Sequence, residues 1–218
     1  VEARDLREVQ TARGLSPNHI LDLLEAFRRD VRQSRYADWG ELMDYCRFSA
    51  APVGRFVLDV HGQDETTWPA SDALCAALQV INHLQDCGKA FRALARVYIP
   101  LDALGAAGVK ISDLGLDAAP LSLRGVIADM AERAMALLET ARPLASQVGD
   151  GRLALEIGVI HHLAHGLARR LKRRDPLSER VHHRPYEALA GAILAVAGVL
   201  AGRHGGSAKR RSGAIGTA

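Results

Sequence analysis

Apolar residues recur at helical spacing along almost the whole chain. Ile20, Leu21, Leu23, Leu24, Phe27 and Val31 form the first clear stripe, and a period of three to four residues predicts an amphipathic helix. Gly14-Leu15-Ser16-Pro17 precedes it, which predicts a loop, an N-cap Ser16 and Pro17 at the first helical position. A second helix is expected from near Asp38-Trp39, carrying Leu42, Met43, Tyr45 and Cys46, with Val53, Phe56 and Val57 continuing its pattern. Pro52 and Gly54 fall inside that pattern and predict a kink or break. Gly62 to Pro69 reads as a loop, after which Ser71 caps a strongly apolar helix through Leu74, Cys75, Ala77, Leu78, Val80, Ile81 and Leu84. Val97-Tyr98-Ile99-Pro100 predicts a short extended piece, and Leu104 to Pro120 a loop. Further helices are expected over Leu123 to Leu144 (Ile127, Met130, Ala134, Met135 and Leu138 on one face), over Arg152 to Arg173, and over Glu187 to Leu200. No stretch alternates like a half-buried strand and no repeat is present. The expected fold class is all-α, with one helical domain over 1–201 and a low-complexity, disordered tail over 202–218.

Composition narrows this little. Apolar residues make up 48% of the 218 residues and charged residues 24%, which excludes disorder as the main state and supplies a sizeable core. Aromatics are only 5%, so aliphatic side chains must fill it. The formal charge of +3 does not point to nucleic acid, because Lys209, Arg210 and Arg211 in the tail account for the excess. Cys46, Cys75 and Cys87 are odd in number and lack CxxC spacing, which predicts reduced thiols in a cytoplasmic protein. The charged opening Val1-Glu2-Ala3-Arg4-Asp5 is no signal peptide, and the missing initiator Met points to a fragment or a processed form. The longest apolar run, Ala188 to Gly202, has 15 residues, fewer than the roughly 20 a spanning helix needs, and is expected to be a buried helix.

Two blocks could carry chemistry. On the Ser71 helix, Gln79, Asn82 and Asp86 fall on one stripe, with Gln85 beside them. Polar side chains on an apolar helix need partners. They fit either oxygen ligation of a hard cation or a satisfied hydrogen-bond network between helices. Around Tyr45, the small residues Ser49, Ala50, Ala51 and Gly54 leave room either for a bulky ligand or for a closely packed helix. Arg96 is either a pocket residue or a surface ion-pair partner. His161, His162 and His165 include an i, i+4 pair at possible zinc spacing, although a helix surface explains them as well. The run Arg169-Arg170-Leu171-Lys172-Arg173-Arg174 suits a helix C-terminus and could also touch anionic lipid headgroups.

Taken together, the segments YCRFSAAPVGRFVLDVHG from Tyr45, SDALCAALQVINHLQD from Ser71, RVYIP from Arg96 and RRDPLSERV from Arg173 resemble the squalene/phytoene synthase family of head-to-head isoprenoid synthases, and within it the hydroxysqualene-forming HpnC branch. The resemblance covers about Leu6 to Leu200. It implies an all-α isoprenoid synthase fold with a deep apolar cavity, in which two aspartate-rich helices hold Mg²⁺ ions that grip a diphosphate. It further implies presqualene diphosphate as substrate, ionised and captured by water to give hydroxysqualene. Carried over residue by residue, the catalytic positions are Tyr45, Asn82 and Asp86, with Asn82 and Asp86 as Mg²⁺ ligands. The implied substrate-binding positions are Ser49, Ala50, Gly54, Gln79, Gln85, Arg96 and Tyr98.

The pattern also departs from the family. Ala90 stands where the second motif has its second aspartate, and Ala95 where an acid often precedes the RVY segment. The first aspartate-rich motif is expected upstream of Val1, since Asp5 and Glu8 do not form its paired pattern. This chain alone is therefore expected to be inactive or impaired. Two alternatives stay open: condensation of farnesyl diphosphate to presqualene diphosphate or phytoene, and a non-catalytic helical partner of other enzymes of the squalene/hopanoid pathway. Peripheral contact with the inner face of the membrane is compatible with either.

Overall fold

The computed structural model describes residues 2–201 apart from 185, 186 and 188; the expected tail, 202–218, lies outside the described residues. Among the described residues up to 171 the α-helices are, in order, α1 (Glu2–Arg13), α2 (Asn18–Arg32), α3 (Trp39–Ser49), α4 (Ala51–Val60), α5 (Trp68–Gln85), α6 (Cys87–Leu94), α7 (Leu101–Ala106), α8 (Leu121–Ala141), α9 (Leu144–Gln147) and α10 (Gly151–Leu171). Residues 189–201 are helical as well. Among the described residues there is no strand; one isolated parallel bridge joins Arg35 to Val97. The all-α expectation and the short extended piece at 97–100 both hold.

The central helix is α5, which packs most extensively on α8 and also meets α3, α4 and α10. Its buried stripe is Ala70, Ser71, Ala73, Leu74, Ala77, Val80, Ile81 and Leu84, and α8 answers with Leu123, Val126, Ile127, Met130, Ala131, Ala134, Leu138 and Ala141. Alanines on both stripes let the two axes approach closely while the leucines and isoleucines fill the space beside them.

Several boundaries depart from expectation, each for a local reason. Helix α2 starts at Asn18, one residue late; Pro17 is its N-cap, and Ser16 Oγ instead accepts the Asn18 N–H at 3.2 Å. The predicted break falls at Ala50, whose backbone leaves the helical region just ahead of Pro52 in the first turn of α4. Ser71 is no cap. A 3₁₀ turn, Glu65–Thr67, capped by Asp64, leads straight into α5 at Trp68, because Pro69 in the first turn has no N–H to satisfy. The expected loop 104–120 contains the end of α7 and a 3₁₀ turn, Ile111–Gly115. Helix α8 stops at Ala141, before Pro143.

Gly54 shows why α4 needs a residue without a side chain. A Cβ there would lie 2.5 Å from Ser71 Oγ and 2.6 Å from Cys75 Sγ, both on α5. Of the two readings open for this block, the structure shows close helix packing at position 54. Gly54→Ala is expected to lower the unfolding free energy by about 1–3 kcal/mol, the usual cost of overpacking, read as a shift of the urea midpoint at constant slope.

Candidate active site at the end of helix α5

Three chain segments meet where α5 ends. The link that follows α6 turns at Ala95, which adopts a left-handed conformation (φ 51°). It then runs beside the segment after α2, with Val97 N–H donating to Ser34 O at 2.9 Å and Leu101 N–H to Tyr36 O at 2.9 Å. This pairing brings Arg96 and Tyr98 against Asp30, Tyr36, Tyr45 and His83. Arg96 Nη1 lies 2.9 Å from Asp30 Oδ1 and donates to Tyr98 Oη at 3.1 Å. Tyr45 Oη donates to the same Asp30 Oδ1 at 3.0 Å. Asp30 thereby ties α2 to α3 and to the 95–100 link with one carboxylate.

Four rings pack around that network. Tyr98 stacks on His83 with centroids 3.5 Å apart and planes 8° from parallel, and the Tyr45 centroid lies 5.2 Å from Tyr36 and 5.9 Å from Tyr98. Tyr36 and Tyr45 are buried. Burial above all, then the neighbouring Tyr98 hydroxyl and the Asp30 carboxylate, pushes both phenols well above their ordinary range, so they remain protonated. His83 is pushed down to about 3, first by burial and then by the Arg96 cation, and is neutral at physiological pH. Tyr36 Oη and His83 Nε2 are buried without a hydrogen-bond partner among the described residues, as is Ser49 Oγ. Native proteins rarely leave such groups unpaired.

The neutral His83 has a thermodynamic consequence. Its folded value lies below its ordinary 6.5, so the unfolded chain binds the extra proton as pH falls. Stability is then full above pH 6.5 and drains away down to about pH 3. Between pH 7 and pH 5 the loss is about 2 kcal/mol. Urea unfolding of the native chain and of His83→Gln at the two pH values should differ by that amount, the variant lacking the decrement.

The sequence-predicted residues divide. Tyr45, Arg96 and Tyr98 come together in this cluster. Asn82 and Asp86 lie next to it on the exposed end of α5, one turn apart, with Asp86 N–H donating to Asn82 O at 3.0 Å. Ala90 follows one turn further, its N–H donating to Asp86 O at 2.8 Å, so the helix carries no second carboxylate there. Gln79 is half-buried on the same line. Gln85 donates to the Val181 carbonyl and meets His182 Nδ1 at 2.9 Å, which anchors the chain after α10. Ala50 is buried at the α3–α4 break. Sequence reasoning missed Asp30, Tyr36 and His83. His83 alone carried a signal: with Gln79, Asn82 and Asp86 it completes the i, i+3, i+4, i+7 stripe.

The donor set can be weighed for a divalent cation. One carboxylate and one amide oxygen at the end of α5 fit a Mg²⁺ that takes its other ligands from phosphate oxygens and water. They do not make a cage of protein ligands, and among the described residues no three His, Cys, Asp or Glu converge. His161 Nε2 bonds the Leu138 carbonyl at 2.7 Å and His165 Nε2 lies 3.4 Å from Glu139, so these two histidines are engaged in packing α10 on α8. Burial pushes the Cys46 and Cys87 thiols up to about 12, which keeps both inert.

Comparison with known proteins adds to this geometry. The profile of the family described as squalene/phytoene synthase matches residues 2–187. The protein named hydroxysqualene synthase in Rhodopseudomonas palustris is 55% identical over 186 residues, 85% of this chain and 64% of that protein. The one so named in Sinorhizobium fredii is 52% identical over 209 residues, 96% and 72% of the two chains. This chain thus spans about two thirds of the length of the relatives it matches. Among solved structures, squalene synthase HpnC from Alicyclobacillus acidocaldarius is similar with a TM-score of 0.72 at 37% identity, over 78% of this chain and 64% of that one. A dehydrosqualene synthase in complex with ligand has a TM-score of 0.75 at 19% identity, over 84% and 65%, a likeness of fold alone.

Proposed function

The chain belongs to the squalene/phytoene synthase family, and on that premise we propose that it carries the hydroxysqualene-forming step: ionisation of presqualene diphosphate and capture of the cation by water. The observation that carries this reading is the aromatic cluster of Tyr36, Tyr45, Tyr98 and neutral His83 beside Asn82 and Asp86. Identity above 50% to proteins named hydroxysqualene synthase favours this product over the condensation reaction.

In the proposed step the C–O bond to diphosphate breaks and its electron pair leaves with the diphosphate. The carbocation rearranges, a water oxygen bonds to it, and that water gives up a proton. Bound Mg²⁺ would neutralise the charge that builds up on the departing diphosphate. Asp86 and Asn82 are the residues of this chain that would hold it. Tyr45 and Tyr98 offer electron-rich faces to the cation. Asp30 and Arg96 fix both rings through their hydroxyls, so the faces need no reorganisation as charge develops. Tyr36 Oη and His83 Nε2 offer hydrogen bonds to the capturing water. Because His83 is neutral and Tyr36 and Tyr45 are protonated, none of these three rings carries a charge that competes with the cation.

Incubating the chain with presqualene diphosphate and Mg²⁺, followed by product mass spectrometry, tests the reading. Hydroxysqualene is the expected product, formed at the impaired rate that one carboxylate at the end of α5 implies. Presqualene diphosphate or phytoene formed from simple prenyl diphosphates would overturn it in favour of condensation.

A further inference from the structure

The basic run at the end of α10 lines a cleft of about 570 Å³ whose other wall is the segment from Glu187 to Gly191. Arg169, Arg170, Arg173 and Arg174 face Glu187 as the single carboxylate of the lining. That carboxylate pairs with Arg170 at 2.8 Å, and Arg174 lies 3.6 Å from Glu179. Arg169 and Arg173 have no carboxylate partner among the described residues. The cleft therefore carries an unneutralised positive field, and the neighbouring His162 is held below its ordinary value by burial first and by Arg169 next.

The helical residues 189–201 beside this cleft contain no charged side chain. They seat on α10 through glycines: a Cβ at Gly158 would lie 2.5 Å from Val199, and one at Gly191 3.0 Å from His162. Their outer side is apolar and open, with Leu189 65%, Ile193 61% and Leu194 66% exposed. A helix apolar on every side is normally covered by protein or lipid. Thirteen residues reach about 20 Å, short of the roughly 30 Å hydrocarbon core, and among the described residues no helix is long and apolar enough to cross a membrane.

We propose that this face docks peripherally on an anionic phospholipid bilayer, with Leu189, Ile193 and Leu194 entering the headgroup boundary and Arg169 and Arg173 taking headgroup phosphates. Charge decides between occupants. A second copy meeting this face about a two-fold axis would set arginines against arginines, whereas an anionic headgroup layer complements them. The sequence beyond the helix adds Arg203, Lys209, Arg210 and Arg211 and no acidic residue, so the cationic character continues along the chain. Docking makes no demand on the Asp86 end of α5 and holds whatever reaction that site performs.

The test is sedimentation of the purified chain with vesicles of phosphatidylcholine alone or with about one third phosphatidylglycerol. Binding is expected to the anionic vesicles and to weaken with salt. Arg169→Gln with Arg173→Gln should weaken it about thirty-fold, and Ile193→Asp more than ten-fold or so. Circular dichroism should show both variants folded, the altered side chains being exposed. A chain left in the supernatant with anionic vesicles would overturn the proposal, as would an Ile193→Asp variant that binds undiminished. If vesicles are not bound and Ile193→Asp dissociates a dimer on size exclusion, the occupant is a second copy. If pyrophosphate instead raises the melting temperature through Arg169 and Arg173 without vesicle binding, the cleft serves a free phosphate; either result overturns bilayer docking.

Discussion

Asp86→Asn is expected to lower Mg²⁺-dependent turnover of presqualene diphosphate by at least about a hundred-fold, the scale lost when one group stabilising developing charge is removed. The side chain is exposed at the end of α5, and the backbone bonds at this residue, among them Asp86 N–H to Asn82 O and Ala90 N–H to Asp86 O, are retained by asparagine. Stability should therefore stay within about 0.5 kcal/mol of the native chain, which separates loss of chemistry from loss of fold. The same substitution should weaken substrate binding in a calorimetric titration with Mg²⁺ and leave binding without Mg²⁺ unchanged. Turnover and Mg²⁺-dependent binding that both survive Asp86→Asn would remove this carboxylate from the metal site.

Asp30→Ala should have the largest effect on stability. Its carboxylate is about one quarter exposed (23%) and holds Arg96 and Tyr45 together. Removing it leaves a guanidinium, 22% exposed, without its carboxylate partner and the buried Tyr45 phenol without its acceptor. Breaking one side of a buried pair costs about 3–5 kcal/mol; with the partial exposure, about 3 kcal/mol is expected in urea unfolding. Asp30→Leu combined with Arg96→Met, which removes both charges, should recover most of that loss while still impairing turnover, because Tyr45 and Tyr98 lose their tether. A double variant no more stable than Asp30→Ala would place the cost elsewhere than in the uncompensated charge.

The sequence conveyed the helices well because their signal is local. Six apolar positions between Ile20 and Val31 recur at one period, and neighbours within a turn decide the outcome. The same locality explains the misjudged start of α5: Ser71 looked like a cap and Pro69 like loop, yet the Asp64 turn upstream makes the entry. The Gln79–Asn82–Asp86 line was legible as a polar stripe, and His83 belongs to it by spacing. Asp30 was not legible. Its partner Arg96 lies 66 positions away, and nothing near Asp30 distinguishes it from a solvated carboxylate. Gly54 was ambiguous for a related reason, since the residues that require its smallness, Ser71 and Cys75, sit on another helix.

The separation between Asp30 and Arg96 also bears on the order in which the molecule assembles. The bridge from Arg35 to Val97 and the Asp30 tether both close a loop that contains α3, α4, α5 and α6. Closing such a loop costs entropy that only contacts formed afterwards repay. The helices inside it can pack on one another first, since α4 meets α5 across a short connection. The aromatic cluster is therefore expected to be completed late in folding, after the rate-limiting barrier. Changes at Asp30 or Arg96 then act on how quickly the native state comes apart and leave the rate of its formation nearly untouched.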